Sequence, residues 1–229
     1  MNARLIAAID TPDLPRAQEL VRCLKAHCGL VKLGLEFFLR HGPDGLMAVA
    51  QGTDVFLDLK LFDIPNTVAG AVRSLLPLEP RLLTVHASGG SKMINAAVEA
   101  TTHAQGVRPK ILAVTVLTSF DEAGLAETGI ADGTAQQVLR LARLALDAGA
   151  DGLVCSPHEI ALLRQAFGKK PLLVVPGIRP AGVALADQAR VMTPEQAVAA
   201  GADYIVVGRP ITNAAIPAEA AAMIAAAIK

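Results

Sequence analysis

The chain has 229 residues, and its 21 basic and 21 acidic side chains leave it without net charge. Balanced charge, a single Tyr and the absence of Trp exclude the basic footprint and the stacking aromatic side chains of nucleic-acid binders. Apolar residues make up 52% of the chain, but they are spread over many short runs that fall short of the ~18 apolar residues of a membrane span. We therefore expect a globular protein that binds neither nucleic acid nor a membrane.

Compartment and metal content can also be predicted from composition. Residues 1–10 are too short for a signal peptide. The cysteines, Cys23, Cys28 and Cys155, form neither an even-numbered framework nor a CxxC pair, so we expect core thiols in the reducing cytoplasm. The five histidines are scattered without the spacing of metal ligands. No metal site is therefore predicted.

Short β-rich runs alternate with amphipathic helical segments along the whole chain. The predicted strands cover residues 5–10, 29–34, 55–60, 82–86, 111–116, 152–155, 172–175 and 204–207. Predicted helices, such as those at 14–27, 91–103, 135–148 and 193–200, lie between them. Eight strand and helix units without a linker favour a closed (β/α)8 TIM barrel over an open sheet. We expect residues 1–229 to form one such domain.

Charged residues close the first three predicted strands. Asp10 ends the first, Lys32 lies in the second, and Asp58 and Lys60 end the third, where a period of two directs both side chains to one side. Asp63 follows on the loop, because Ile-Pro stops the strand beyond it. Function in such barrels collects at the carboxyl ends of the strands, which lie ~4.8 Å apart. These side chains are predicted to converge in an active site.

The alternative interpretation is a structural ion-pair network that closes the end of the barrel. For a single buried pair this would be the preferred interpretation, because structural networks are common. Four charges on three neighbouring strand ends reverse that preference, since burying each ion is costly and apolar packing would close the barrel more cheaply.

Strands four and five contribute polar side chains to the same rim. His86 ends strand four, as either an acid–base group or a hydrogen-bonded core residue, and we favour the core residue. Thr118 and Ser119 follow strand five. Their hydroxyls can hydrogen-bond a flat heterocycle, although Ser and Thr more often cap helices.

Strands seven and eight both run into Gly-Arg loops, Pro176-Gly-Ile-Arg-Pro180 and Gly208-Arg-Pro-Ile-Thr212. Barrels commonly bind phosphate with these two loops, and the forks of Arg179 and Arg209 suit phosphate oxygens. Either loop alone can equally be a tight turn with a solvated Arg. Both loops together, with the backbone of Gly208, predict a phosphate site.

Residues 178–191 form a long connection rich in small residues after strand seven. Loops of this length in a compact barrel are usually functional or disordered, and closure over a substrate would exclude water. We expect a lid in which the Gln188 amide contacts both phosphate and substrate. The alternative is a plain surface excursion.

Together these motifs resemble those of the orotidine 5′-phosphate decarboxylase family, in the family's order and over essentially the whole chain. The matching motifs are Ala8-Ile-Asp10, Val31-Lys-Leu-Gly34, Asp58-Leu-Lys-Leu-Phe-Asp-Ile-Pro-Asn-Thr67, Thr115-Val-Leu-Thr-Ser119, Pro176-Gly-Ile-Arg179, Asp187-Gln188 and Val207-Gly-Arg-Pro-Ile-Thr212. The resemblance implies a homodimeric (β/α)8 barrel that converts orotidine 5′-monophosphate to uridine 5′-monophosphate in pyrimidine synthesis, without a metal or organic cofactor.

The resemblance also implies a role for each of four charged residues. Lys60 would donate a proton to the ring, with Asp58 beside the leaving carboxylate and Lys32 and Asp63 as flanking members. Asp63 and Thr67 would reach across the dimer interface into the partner's site.

The implied substrate contacts use the remaining motifs. Asp10, together with Lys32, would bind the ribose hydroxyls, Thr118 the pyrimidine, and Gln188 both base and phosphate. The implied phosphate ligands are Arg179, Gly208 and Arg209.

Three other functions remain possible for such a barrel. A magnesium-dependent sugar-phosphate lyase or decarboxylase of the same superfamily shares the Asp-x-Lys-x-x-Asp run, but its acidic residue on strand two is replaced here by Lys32, which would repel the ion. A Schiff-base aldolase would need Lys60 or Lys32 with a lowered pKa, and flanking carboxylates oppose that shift. The third is a non-catalytic barrel that binds a phosphate ligand.

Overall fold

Parallel strands close into a barrel in the computed structural model, which describes residues 2–180 and 192–228. Each strand pairs in parallel with the next, and β8 pairs with β1. This closed order confirms the predicted TIM barrel. In the described part of the chain the strands are β1 Asn2–Ala8, β2 Cys28–Gly34, β3 Val55–Leu61, β4 Leu82–His86, β5 Lys110–Val114, β6 Gly152–Val154, β7 Leu172–Val175 and β8 Tyr204–Val207.

Helices follow the strands around the outside of the barrel. The described α-helices are α1 Leu14–Leu24, α2 Leu35–Ala50, α3 Pro65–Leu75, α4 Gly90–Ala100, α5 Glu122–Glu127, α6 Gly133–Asp147, α7 Ile160–Phe167, α8 Pro194–Ala200, α9 Arg209–Thr212 and α10 Pro217–Ala227. The short helices α5 and α9 were not predicted, because four to six residues hold too few turns for a helical period to show. No helix of the described residues is both long and apolar enough to span a bilayer.

Local sequence explains where these helices begin. The Asp13 carboxylate accepts a hydrogen bond from the backbone N–H of Arg16 and so caps α1. Thr193 and Gln196 form a reciprocal capping box at the start of α8. Helix α2 is kinked at Gly42, which has φ 60° and ψ −160° just before Pro43, because proline restricts the residue that precedes it.

The repeated phrase Ala-Gly-Ala-Asp joins helices to strands at the amino-terminal face of the barrel. The glycines adopt φ 94° at Gly149 and φ 114° at Gly201, a conformation that favours glycine after a helix. The aspartates then bind the preceding strand. Asp151 accepts from the Ile111 N–H at 2.8 Å, and Asp203 accepts from the Leu173 N–H at 2.8 Å. These carboxylates therefore hold the starts of β5 and β7.

The barrel interior is apolar at its base and charged towards its carboxyl end. The buried interior side chains are Ile6, Ala8, Leu30, Phe56, Leu82, Leu112, Val174 and Val206. Alternation along each strand places the next inward position two residues further on. That step leads from Ala8 to Asp10, from Leu30 to Lys32 and from Phe56 to Asp58, so the charged side chains form the layer above the apolar one. This layer carries the site.

Candidate active site

The structure brings four of the singled-out charges into one alternating row. Lys32 Nζ lies 3.0 Å from Asp10 Oδ1 and 3.6 Å from Asp58 Oδ2. Lys60 Nζ lies 2.9 Å from Asp58 Oδ1 and 3.0 Å from Asp58 Oδ2. The row runs Asp10, Lys32, Asp58, Lys60, and each lysine contacts a carboxylate. We call these four residues the charged array.

Burial differs along the charged array. The side chains of Lys32 and Asp58 are 13% and 12% exposed, whereas those of Lys60 and Asp10 are 39% and 63% exposed. The buried members lie at the centre and are paired on both sides, as buried charges require. Lys60, at one end, keeps an open side towards solvent or a bound molecule.

The pKa of Asp58 is lowered although the group is buried. Burial by itself raises this pKa, but the charges of Lys32 and Lys60 and the hydrogen bonds from Lys60 and Thr84 outweigh it. The Asp58 carboxylate is therefore ionised at neutral pH. A charged Asp58 attracts both ammonium groups, which keeps the array together.

Thr84 is a site residue that the sequence analysis did not single out. Its Oγ1 lies 2.8 Å from the Lys60 backbone N and 2.9 Å from Asp58 Oδ1, and the residue is fully buried. The sequence feature that could have identified it is its position in β4. Thr84 lies two residues after the interior residue Leu82 and is the one polar residue of the run 82–85. A polar residue at an inward position near charged neighbours indicates a hydrogen-bonding role.

A cavity of about 260 Å³ opens beside the charged array at the carboxyl end of the barrel. All four members of the array line it. Its walls include apolar side chains from several strands and Thr118 from the loop after β5. Ser119 is exposed and does not line this cavity. Apolar residues of the wall include Phe56, Val114, Val116, Val154 and Val206.

Arg179 and Arg209 line the same cavity, together with Gly208. Arg179 is 8% exposed, and its Nε is buried without a hydrogen-bond partner within residues 2–180 and 192–228. A buried guanidinium that lines a cavity is suited to bind an anion, because a buried donor without a partner is costly. The structure thus brings both Gly-Arg loops to one cavity that the charged array also lines.

Asp63 and Thr67 are placed differently from the other singled-out residues. Both are exposed, and neither is among the residues that line the cavity in the described chain. Asp63 Oδ1 accepts a hydrogen bond from the Ile64 N–H at 2.6 Å. Within one subunit these two side chains therefore do not join the charged array. Gln188, like residues 181–191 of the expected lid, lies outside the described residues.

His86 is half-buried at the rim, where its ring stacks on Phe62 with centroids 5.6 Å apart. Its Nδ1 accepts from the Ser88 N–H at 3.3 Å, so the ring is hydrogen-bonded as expected, but it lies at the rim and not in the core. Burial and then the charge of Lys60 lower the pKa of His86, so the ring is neutral at pH 7.

Cys155 also lines the cavity, which the sequence analysis did not anticipate. It is buried, and burial raises the pKa of its thiol far above its usual range. The thiol is therefore protonated and unreactive, as expected for a core cysteine. Among the residues that the structure describes, no group of three or more His, Cys, Asp and Glu side chains is arranged to hold a metal ion.

Comparison with known proteins identifies the family of this chain. The sequence profile of the Orotidine 5′-phosphate decarboxylase / HUMPS family matches residues 3–224. A protein of Gluconobacter oxydans (strain 621H) named orotidine 5′-phosphate decarboxylase is 56% identical over 96% of this chain and 94% of its own length. A protein of the same name from Anaeromyxobacter sp. (strain K) is 55% identical over 99% of both chains.

A solved structure gives the same result in three dimensions. The crystal structure of orotidine 5′-phosphate decarboxylase from Lactobacillus acidophilus superposes with a TM-score of 0.87 and 39% identity, and the match covers 98% of each chain. Family profile, curated relatives and fold coincide over nearly the full length. The chain belongs to the orotidine 5′-phosphate decarboxylase / HUMPS family.

Proposed function

We propose that this protein decarboxylates orotidine 5′-monophosphate to uridine 5′-monophosphate in pyrimidine biosynthesis, without a metal or organic cofactor. Family membership and the names of its relatives support the reaction. The observation that carries the proposal is the position of Lys60, bound to Asp58 on the wall of a cavity that also holds two arginines. The proposal extends to a single catalytic domain over residues 1–229 and to a cytoplasmic location.

The chemical step needs an electron pair to be stabilised on carbon. The bond between ring carbon C6 and the carboxylate breaks, CO2 leaves, and the electron pair stays on C6. No conjugated electron sink, of the kind that a pyridoxal or thiamine cofactor supplies, delocalises this pair. The Lys60 ammonium is attracted to this localised charge more strongly than to the delocalised carboxylate. It then donates a proton from Nζ to C6 and is reprotonated from solvent.

Asp58 has two functions in this proposal. Its ionised carboxylate holds Lys60 Nζ at 2.9 Å and so directs the ammonium group into the cavity wall. It also crowds the substrate carboxylate, whose loss relieves the repulsion between the two anions. Lys32, 3.6 Å from Asp58 Oδ2, offsets part of the charge and keeps Asp58 in place.

Substrate binding uses the rest of the cavity. The guanidinium groups of Arg179 and Arg209 and the backbone at Gly208 would bind the phosphate. The buried Nε of Arg179, which has no hydrogen-bond partner among the described residues, supports this role. Thr118 would bind the pyrimidine ring. Asp10 and Lys32 would bind the ribose hydroxyls, and Asp10 Oδ1 lies 3.0 Å from Lys32 Nζ.

Closure of the loop over the substrate completes the proposed site. Gln188 would contact both base and phosphate from the lid, and binding energy from the remote phosphate would drive the closure. A closed lid excludes water, which strengthens the attraction between Lys60 and the carbanion.

The proposal includes a homodimer in which Asp63 and Thr67 enter the partner's site. Their exposure and their absence from their own subunit's cavity support this arrangement. Phe62 and Ile64, on either side of Asp63, are 61% and 65% exposed. Exposed apolar side chains beside a polar functional group are typical of a surface that another subunit covers.

Turnover in the presence of a chelator tests the proposed function. Purified protein is mixed with orotidine 5′-monophosphate and EDTA, and the loss of ultraviolet absorbance on conversion to the product is followed. We expect turnover that EDTA does not reduce. Protein carrying Lys60→Ala, purified in parallel, excludes activity from a host enzyme.

The outcomes separate the proposed function from its rivals. A requirement for an added divalent cation would support the magnesium-dependent lyase instead. Borohydride trapping of the substrate on a lysine would support the Schiff-base enzyme. Tight binding of the nucleotide without any turnover would support the non-catalytic barrel.

A further inference from the structure

Strand β3 is bulged at the charged array. Leu57 pairs with Leu83 and Leu61 pairs with Val85, so residues 58–60 of β3 lie opposite the single residue Thr84 of β4. The extra residues disrupt the backbone ladder between the two strands. Lys60, in this bulge, has a backbone φ of 48°, a value that residues other than glycine rarely adopt.

The Thr84 hydroxyl fills the gap that the bulge leaves. Its oxygen lies 2.8 Å from the Lys60 backbone N and 2.9 Å from Asp58 Oδ1. A backbone N–H can only donate, so the hydroxyl accepts from Lys60 and its single proton points to Asp58. One buried hydroxyl thus ties the strained backbone of Lys60 to the carboxylate that binds the Lys60 side chain.

We propose that Thr84 is a positioning residue for the decarboxylation, acting through Asp58 and Lys60 rather than on the substrate. Its hydrogen bond to Oδ1 orients the Asp58 carboxylate, so that both oxygens face Lys60 and Oδ2 also faces Lys32. Its bond to the Lys60 N–H stabilises the backbone conformation from which that side chain projects. The inference rests on the function proposed above.

Removal of the hydroxyl in Thr84→Val tests this role. The valine keeps the shape of the side chain but leaves the Lys60 N–H and Asp58 Oδ1 short of a partner. We expect kcat to fall roughly 10- to 100-fold, the change expected for loss of a hydrogen bond to a charged group. The dissociation constant of uridine 5′-monophosphate should change by less than about threefold, because Thr84 acts on the reacting groups and not on binding.

Two further variants separate positioning from simple stability. Thr84→Ser keeps the hydroxyl and should restore kcat to within about threefold of wild type. Thr101→Val is the matched control, because Thr101 is also fully buried and its hydroxyl also donates one bond, to Val98 O, and accepts another, from Arg108 Nε. It should lose thermal stability without loss of kcat. If the Thr84→Val protein does not fold, Thr84→Ala takes its place, because alanine removes the hydroxyl without adding bulk.

A second readout does not need turnover. In a ¹³C NMR titration, the pKa of the Asp58 carboxyl should be higher in Thr84→Val than in wild type, because a hydrogen bond to the ionised form has been lost. The acid limb of the kcat profile should then move to higher pH. Among the described residues, Lys32 and Lys60 are the charged groups that contact Asp58. Lys32 also pairs with Asp10, and the charge of Lys60 acts on His86, so the titrations of Asp10 and His86 are followed alongside that of Asp58.

The two readouts keep the two proposals apart. A wild-type protein without turnover would overturn the proposed function, while the NMR titration would still test Thr84. The positioning role is overturned if Thr84→Val leaves the Asp58 pKa unchanged, if it reduces kcat no more than Thr101→Val does, or if Thr84→Ser is as impaired as Thr84→Val.

Discussion

Lys60→Ala removes the ammonium on which the proposed chemistry depends. Lys60 Nζ binds both oxygens of Asp58, at 2.9 and 3.0 Å. The Lys60 side chain is the more exposed of the two lysine side chains in the charged array. The substitution therefore deletes one charge at the cavity wall and leaves Asp58 with Lys32 and Thr84 as partners. Because those partners remain, we expect the variant to fold.

The size of the effect has two parts. At ~4 Å and an effective dielectric constant of ~20, attraction between an ammonium and a carbanion contributes ~4 kcal/mol, or about three powers of ten in rate. Proton donation by a positioned group adds roughly 10²- to 10⁴-fold. The two factors together give roughly 10⁵- to 10⁷-fold. Part of the attraction already acts on the substrate carboxylate, so we expect turnover to fall by ~10⁵-fold, the lower end of that range.

The assay compares kcat/KM of wild type, Lys60→Ala and Lys25→Ala from the change in ultraviolet absorbance. Lys25 is exposed beyond the end of α1, away from the cavity, so its variant should match wild type. Circular dichroism and a thermal melt verify the fold of each protein. Turnover of a folded Lys60→Ala protein within tenfold of wild type would refute the role of this ammonium.

Three further outcomes follow from the same site. Arg209→Ala should lower kcat/KM roughly 10- to 100-fold, mainly through KM, since one charged partner of the phosphate is lost; an unchanged kcat/KM argues against a phosphate ligand. An equal mixture of inactive Asp63→Ala and Lys60→Ala subunits should regain roughly a quarter of wild-type activity, because about half of the dimers are hybrids with one intact site; no recovery after verified exchange excludes action in trans. The lowered pKa of Asp58 stabilises the fold above the unfolded-state pKa of ~3.9, and that contribution is lost as pH falls through the folded value. The difference in free energy of unfolding between wild type and Asp58→Asn, measured with urea, should therefore shrink from pH 6 to pH 3, and a constant difference contradicts the linkage.

Much of the charged array follows from the alternation of side chains along single strands. Asp10, Lys32 and Asp58 each lie two residues beyond an apolar interior residue, so a period of two is enough to place them in one layer of a barrel. The Gly-Arg loops after strands seven and eight are likewise visible as turn signals. Both features depend on neighbours close in the chain, and the structure has them at the carboxyl ends of the strands.

Other features depend on how strands fit against one another. The bulge of β3 exists because its register with β4 shifts between Leu57 and Leu61, and no pattern within β3 alone reveals that shift. The contact of Thr84 with Asp58 joins residues 26 positions apart. Closure of β8 onto β1 is also a property of the whole sheet, and it brings the loop of Arg209 to the cavity that Asp10 lines.

Local pattern was enough to predict the order of strands and helices, the charged residues on the first three strands and the two arginine loops. Hydrophobic period and turn residues act over a few residues, so these features can be read from local pattern. Four features could not be predicted in this way: the register of β3 against β4, the strained backbone of Lys60, the hydroxyl that bridges it to Asp58, and the separation of Asp63 from its own subunit's cavity. Each of these depends on the packing of segments distant in the chain, where closure of the barrel sets the geometry.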